Sequence, residues 1–144
     1  MAVSSAMRRL LRVLEIQESE RRTAMESARA ELSRLEHAWG QGVGRERGGR
    51  RLVAASATTG DVTDRIAGIE ETRTAKRIAQ ALEPRLAEME AAVSTRWREF
   101  LGKRIERRQT ETLIEETEAL DKVEAGRRAQ RDLDDWFLSR RSTT

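Results

Sequence analysis

The side chains that could do chemistry in this sequence are few in kind and widely scattered. His37 is the only histidine and no cysteine exists. A zinc or iron site needs several nitrogen, sulfur or oxygen ligands converging on one point. His37 has neither a second histidine nor a thiol to join it, so it reads as a surface residue beside Glu36. The lack of cysteine removes thiol catalysis, disulfides and Cys-based metal sites. Acidic neighbours occur at Glu115 with Glu116 and at Asp134 with Asp135. Acid–base catalysis needs such carboxylates in a pocket that shifts their pKa; the rod of helices expected below offers none, so they read as solvated. The stretch GQGVGRERGGRR (40–51) is glycine-rich but lacks a preceding strand, a Lys–Ser/Thr ending and the G-x-G-x-x-G spacing of phosphate loops. No catalytic residue, metal or cofactor is expected, and the chain is read as a non-enzyme.

Charge patterning is more informative. Arg96, Arg98, Lys103, Arg104, Arg107 and Arg108 form a basic band, followed by an acidic one at Glu111, Glu115, Glu116, Glu118 and Asp121. Arg127, Arg128 and Arg131 are basic again, Asp132, Asp134 and Asp135 acidic, and Arg140 and Arg141 basic. Alternating bands are either a solvated face or a docking surface with complementary patches. Trp136, Phe137 and Leu138 favour docking. Three consecutive large apolar residues cannot all face one side of a helix, and exposed aromatics beside arginine are typical interface anchors.

Composition sets the frame for these residues. The 144 residues carry 28 basic and 25 acidic side chains, for a net charge of +3. The charged fraction is 37 % and the aromatic fraction 3 %. That is the composition of a coiled coil rather than of a compact core. The sequence pI of about 10.1 overstates the basicity, because acids and bases nearly balance and arginine far outnumbers lysine. No apolar run approaches the ~20 residues of a membrane span, and the start lacks the apolar region of a signal peptide. The expected location is the cytoplasm, against a membrane complex.

The elements that would position these residues are helices. Met1 to Ser5 reads as frayed, with Ser4 or Ser5 as a cap. A heptad then runs through Met7, Leu11, Leu14, Glu18, Arg21, Met25, Ala28, Leu32, Leu35 and Trp39, predicting helix 1 over about 5–39. The glycines from 40 onward predict a break, since each costs a helix about 1 kcal/mol relative to alanine. The connector is expected over about 40–60, with RRLVAASA able to form a short helix. Asp61 is a good N-cap for helix 2, predicted over about 61–140. Its apolar positions are Val62, Ile66 and Ile69, then a lapse near 72–76. They resume at Ile78, Leu82, Leu86, Met89, Val93, Trp97, Phe100 or Leu101, and Ile105, and are more widely spaced beyond. Pro84 predicts a kink and Gly102 a weak point. The expected fold is all-α: an elongated antiparallel two-helix coiled coil, a helical hairpin forming a single domain over 1–144. Its longer C-terminal helix would reach roughly 120 Å at ~1.5 Å per residue and overhang helix 1.

With those residues in view, the sequence resembles a known family. The segment MRRLLRVLEIQESERRTAMESARAELSRLE is similar to the start of FliJ, the small coiled-coil component of the flagellar type III export apparatus. The ending EAGRRAQRDLDDWFLSRR resembles that family's C-terminus at Arg128, Gln130, Arg131, Leu133, Asp134, Asp135, Trp136 and Phe137. Trp97-Arg98-Glu99 resembles a tripeptide in the middle of the family's second helix. The YscO-type injectisome stalk shares this layout. The resemblance implies a hairpin like the central stalk of rotary ATPases. Its paired ends would enter a hexameric export ATPase and promote its assembly and activity. It would also contact the membrane export gate and empty export chaperones, placing the protein at the inner membrane's cytoplasmic face. The ATPase-facing residues it implies are Arg8, Arg9 and Arg12 at one terminus. At the other they are Arg128, Gln130, Arg131, Asp134, Asp135, Trp136, Phe137, Arg140 and Arg141. The family's gate-contacting residues find no match over 66–79 and are not carried over.

Two other readings stand beside it. Arg45, Arg47, Arg50 and Arg51 make a basic spot that could contact phosphate or RNA, although no aromatic interleaves them. A generic coiled-coil adaptor or self-assembling rod is the other.

Overall fold

The structure, a computed structural model, describes residues 3–143. It is all-α: α1 spans Ser5–Thr59 and α2 spans Val62–Ser142. The two helices pack against each other as a hairpin whose second helix is the longer. Their cross-pairs run in opposite directions along the chain: Arg8 with Glu118, Glu18 with Arg107, Arg21 with Glu99 and Arg45 with Glu71. Of the stretch 1–5 expected to fray, Met1 and Ala2 lie outside the described residues, Val3 and Ser4 precede the helix, and Ser5 is already its first residue. At the start of α1, the Ser4 hydroxyl accepts the Met7 N–H at 3.1 Å, satisfying one of the donors a helix start leaves open.

The turn between the helices takes two residues. Gly60 adopts φ +70°, the left-handed conformation that glycine reaches without a Cβ clash, and its N–H donates to the Ser56 carbonyl at 2.8 Å. Asp61 caps α2 as the sequence indicates: its carboxylate accepts the N–H groups of Thr63 at 3.0 Å and Asp64 at 3.2 Å. Asp64 in the first turn and Arg140 and Arg141 in the last suit the helix dipole at each end.

The protein divides into two compact units: Met1–Glu20 with Phe100–Thr144, and Arg21–Glu99. In the second unit the α1 seam continues the heptad through Met25, Ala28, Leu32 and Leu35. It does not stop at Trp39, which is exposed. The predicted end of helix 1 and the glycine-rich connector are therefore corrected: α1 runs unbroken through 40–59. The reason lies in the spacing. Leu35, Gly42, Gly49 and Ser56 are one heptad series, and all four are buried. On the opposing helix the two glycines meet small residues: Gly42 meets Ala75 and Ala79, and Gly49 meets Gly68 and Thr72. A Cβ built on Gly49 would lie 2.5 Å from Thr72 Oγ1 and 2.8 Å from the Gly68 carbonyl oxygen. One on Gly68 would lie 2.7 Å from the Gly49 carbonyl oxygen. Glycine here lets two backbones approach, and the close packing offsets its helix penalty. Gly40, Gly44 and Gly48 face open space and carry that penalty alone.

The α2 seam in this unit is also corrected. The expected lapse near 72–76 is where Thr72 and the fully buried Ala75 enter the contact. The seam then runs through Ala79, Leu82, Leu86, Met89 and Val93, all buried or half-buried. Ile78 and Trp97, assigned to the seam by their hydrophobicity, are exposed, as are Val62 and Ile66. Trp97 instead stacks beneath the Arg29 guanidinium, 4.9 Å from the ring centroid, an attraction of cation to π-face. Pro84 is exposed and lies inside α2, which continues through it and through Gly102 without a break.

In the first unit, Leu11, Leu14 and Glu18 of α1 meet a seam on α2 running through Phe100, Arg107, Thr110, Ile114, Thr117 and Asp121. Ile105, expected in the seam, is exposed.

The two classes of glycine predict opposite mutational signs. Gly44→Ala should stabilise by about 1 kcal/mol, because nothing opposes the methyl group. Gly49→Ala should destabilise by about 2 kcal/mol, because the methyl overpacks two backbones. Thermal unfolding of the two variants followed by circular dichroism checks both.

Candidate partner-binding surface

The surface begins where α1 ends its cover. In the first unit the last half-buried residue of α2 is Asp121, and every described residue from Lys122 to Thr143 is exposed. At the other terminus Arg8 reaches Glu118 at 3.6 Å, so the first turns of α1 lie against α2 just before Asp121. The structure thus contains the overhang that the unequal helices predict.

What sets this boundary is polar. Glu18 is only 5 % exposed and occupies a heptad position where an apolar side chain would be usual. Its carboxylate accepts from the Arg107 Nε, while Arg107 Nη1 donates to Glu111 at 2.7 Å. The hydrogen bond with Glu18, then that with Glu111, raises the Arg107 pKa above its ordinary value. A buried charge of this kind tolerates only one alignment of the helices, because a slip would strand it without a partner.

Beyond Lys122 the chain-terminal site residues share one helix but not one face. At about 100° per residue, Val123, Gly126, Ala129, Leu133, Trp136 and Phe137 form one apolar stripe. The seam that holds α1, continued by heptads from Ile114 and Asp121, would fall on Arg128 and Asp135, both polar. The apolar stripe of the overhang therefore points away from the face that α1 covers. Leu133, Trp136 and Phe137 are 50 %, 48 % and 59 % exposed. The Trp136 and Phe137 rings meet edge-to-face at 5.1 Å, and the Arg140 guanidinium lies 4.6 Å over the Trp136 ring. These contacts hold the aromatics in place. Gln130 Nε2 donates to Asp134 Oδ1 at 3.0 Å, and Arg131 Nε to the Arg127 carbonyl at 3.4 Å. Arg128 lies 3.8 Å from Glu124. Asp135 and Arg141 are exposed on the same helix.

The structure brings Arg128, Gln130, Arg131, Asp134, Asp135, Trp136, Phe137, Arg140 and Arg141 together on the overhang. It does not join Arg8, Arg9 and Arg12 to them. Arg8 sits at Glu118, ten residues before Arg128, or ~15 Å along a helix. Arg9 bonds back to Ser5, its Nη2 donating to the Ser5 hydroxyl at 3.2 Å, and Arg12 is exposed. Leu133 and Leu138 belong to the surface as well. Both were legible, Leu138 as one of three adjacent apolar residues and Leu133 in the C-terminal resemblance, but neither was assigned an ATPase-facing role. A further apolar feature went unread: a shallow groove of about 580 Å³ between Ile105, Arg108, Gln109, Thr112, Leu113 and Glu116.

The basic spot of the second unit is partly neutralised. Arg45 Nε donates to Glu71 Oε1 at 2.6 Å and Arg50 Nη2 to Glu46 Oε1 at 2.6 Å. The Arg45 hydrogen bond holds the Glu71 carboxyl below its ordinary pKa. Its stabilisation is therefore present above the ordinary carboxylate range and is lost as pH falls through the lowered value.

No helix among the described residues is long and apolar enough to cross a membrane. Comparison with protein-family models, curated protein sequences and solved structures finds no match to this chain.

The buried pair yields a double-mutant expectation. Arg107→Leu leaves Glu18 buried without its cation and should cost about 3 kcal/mol. Glu18→Leu with Arg107→Leu should recover most of that loss. Denaturant unfolding of the single and double variants measures the coupling.

Proposed function

We propose that this protein is a non-enzymatic stalk component of a type III protein export apparatus, most closely of the flagellar kind. Its overhanging α2 docks into a hexameric export ATPase and stimulates it. The observation that carries the reading is the run of exposed residues from Lys122 onward. It bears an aromatic cluster turned away from the face α1 covers, and it coincides with the segment that resembles FliJ. A helix without a partner over six turns gains nothing from its own fold by presenting Trp136, Phe137 and Leu138 to water. An antiparallel hairpin with the longer C-terminal helix suits insertion into a ring. The alternating charges of 127–141 would steer and orient that insertion, and the aromatics would anchor it. Contacts with the export gate and with empty export chaperones belong to the same reading, with peripheral association at the cytoplasmic face of the inner membrane.

The test is co-purification with the export ATPase and measurement of its turnover. Trp136→Ala with Phe137→Ala should weaken binding at least tenfold and remove the stimulation. Because both side chains are exposed, unfolding of the free chain should shift by less than about 0.5 kcal/mol. Unchanged binding and stimulation after deletion of residues 128–144 would sink the assignment of the surface.

A further inference from the structure

The second unit carries a basic and aliphatic face beside the turn. On α2, Val62, Arg65, Ile66, Ile69, Arg73 and Lys76 fall within one arc of about 100°, counting about 100° per residue. Val62 and Ile66 are 67 % and 58 % exposed. Arg50, Val53 and Ala57 of α1 border the same face. A groove of about 280 Å³ lined by Arg50, Val53, Ile69, Thr72 and Arg73 joins the two helices there. A smaller hollow nearer the turn has Ala57, Val62 and Arg65 in its wall. The close approach of Gly49 to Gly68 sets the helices side by side, so both contribute to one continuous surface.

Charge is segregated around this face. The ion pair of Arg45 with Glu71 lies on the other side of the helix contact. Asp64 and Glu70 fall outside the arc. The Asp61 carboxylate is occupied by the N–H groups of Thr63 and Asp64, and Glu46 is bonded to Arg50. Arg65, Arg73 and Lys76 make no ion pair among the described residues. Unpaired cations interleaved with short aliphatic side chains match a surface that is anionic outside and apolar beneath. Nucleic acid and protein partners fit less well. No aromatic residue occurs between 43 and 77 to stack on a base or to anchor a protein interface.

We infer that this face of the second unit lies on an anionic phospholipid surface. Val62, Ile66 and Ile69 enter the boundary between headgroups and acyl chains. The longer Arg65, Arg73 and Lys76 side chains lay their stems along that boundary and reach the lipid phosphates with their charged ends. The contact lies on the membrane and needs no spanning helix. Its electrostatic part weakens as salt screens the charges. The inference uses no residue of the docking surface. It names lipid as the contact, where the peripheral association proposed above needs only protein partners.

Flotation of the full chain with vesicles tests it with no other protein present, so its failure leaves the docking reading standing, and a failure of ATPase binding leaves the lipid contact standing. The chain should float with vesicles of equal parts phosphatidylcholine and phosphatidylglycerol, less so at high salt, and not with vesicles of phosphatidylcholine alone. Arg65→Gln with Arg73→Gln should weaken binding about tenfold. Val62→Ser with Ile66→Ser should weaken it as well, which a purely ionic contact would not show. Both double variants should keep their helix content by circular dichroism, because the four side chains are exposed. Trp136→Ala with Phe137→Ala should float as the wild type does, which keeps the overhang aromatics out of the contact. Wild-type protein that fails to float with the anionic vesicles would overturn the inference. So would undiminished flotation of the Arg65 and Arg73 variant, or a loss confined to the Trp136 and Phe137 variant. A gel shift of single-stranded RNA in place of vesicle binding would make the face a nucleic-acid surface and overturn it too.

Discussion

The ion pair of Glu18 with Arg107 is the constraint on which the first unit depends. The seam around it is narrow, made of Leu14, Phe100, Ile114 and a few half-buried neighbours. Such a seam resists separation better than sliding, since one apolar layer can replace another after a shift. A nearly buried carboxylate cannot shift without losing its cation. By holding Arg107 between Glu18 and Glu111, the protein selects the alignment in which the first turns of α1 end beside Glu118 and Asp121. The exposure of everything beyond Lys122 follows from that alignment. The candidate surface is thus defined as much by where α1 stops as by the residues it carries.

In the second unit the same task falls to backbone shape. Gly49 and Gly68 approach so closely that neither has room for a methyl group, and Ala75 is wholly buried opposite Gly42. Small residues in register are intolerant of sliding for a steric reason, where the Glu18–Arg107 pair is intolerant for an electrostatic one. Both devices sacrifice some stability for specificity. Glycines weaken the helix and a buried ion pair is costly to desolvate.

The hairpin class, the longer second helix, the Asp61 cap and the seam from Met7 to Leu35 were all legible, because each rests on a local signal or a repeating one. The glycines at 40–49 were not read correctly. Propensity scores each as a breaker, whereas Gly42 and Gly49 continue the heptad series of Leu35 and are used for their size. The α2 seam was legible at Leu82, Leu86, Met89, Val93 and Phe100 but misplaced around Ile78 and Trp97, for the mirror-image reason. Ile78 and Trp97 looked like core because they are large, yet the contact belongs to Ala75 and Ala79. A tight helix pair inverts the usual weighting of large over small. The overhang surface was legible at Trp136, Phe137 and the charge bands, since three adjacent apolar residues on a helix announce exposure. The separation of Arg8, Arg9 and Arg12 from that surface was not, because it depends on register, which no single helix encodes.

We propose that α2 beyond Lys122, exposed in this structure, is the surface that another protein covers. Amide hydrogen exchange resolved by peptide, on the dilute free chain and with saturating export ATPase, tests this most directly. Peptides spanning 100–121 should exchange slowly in both states. Peptides spanning 123–142 should exchange fast in the free chain and become protected with the ATPase. Equal protection of the two segments in the dilute free chain, or no change in 123–142 when the ATPase is added, would contradict the account.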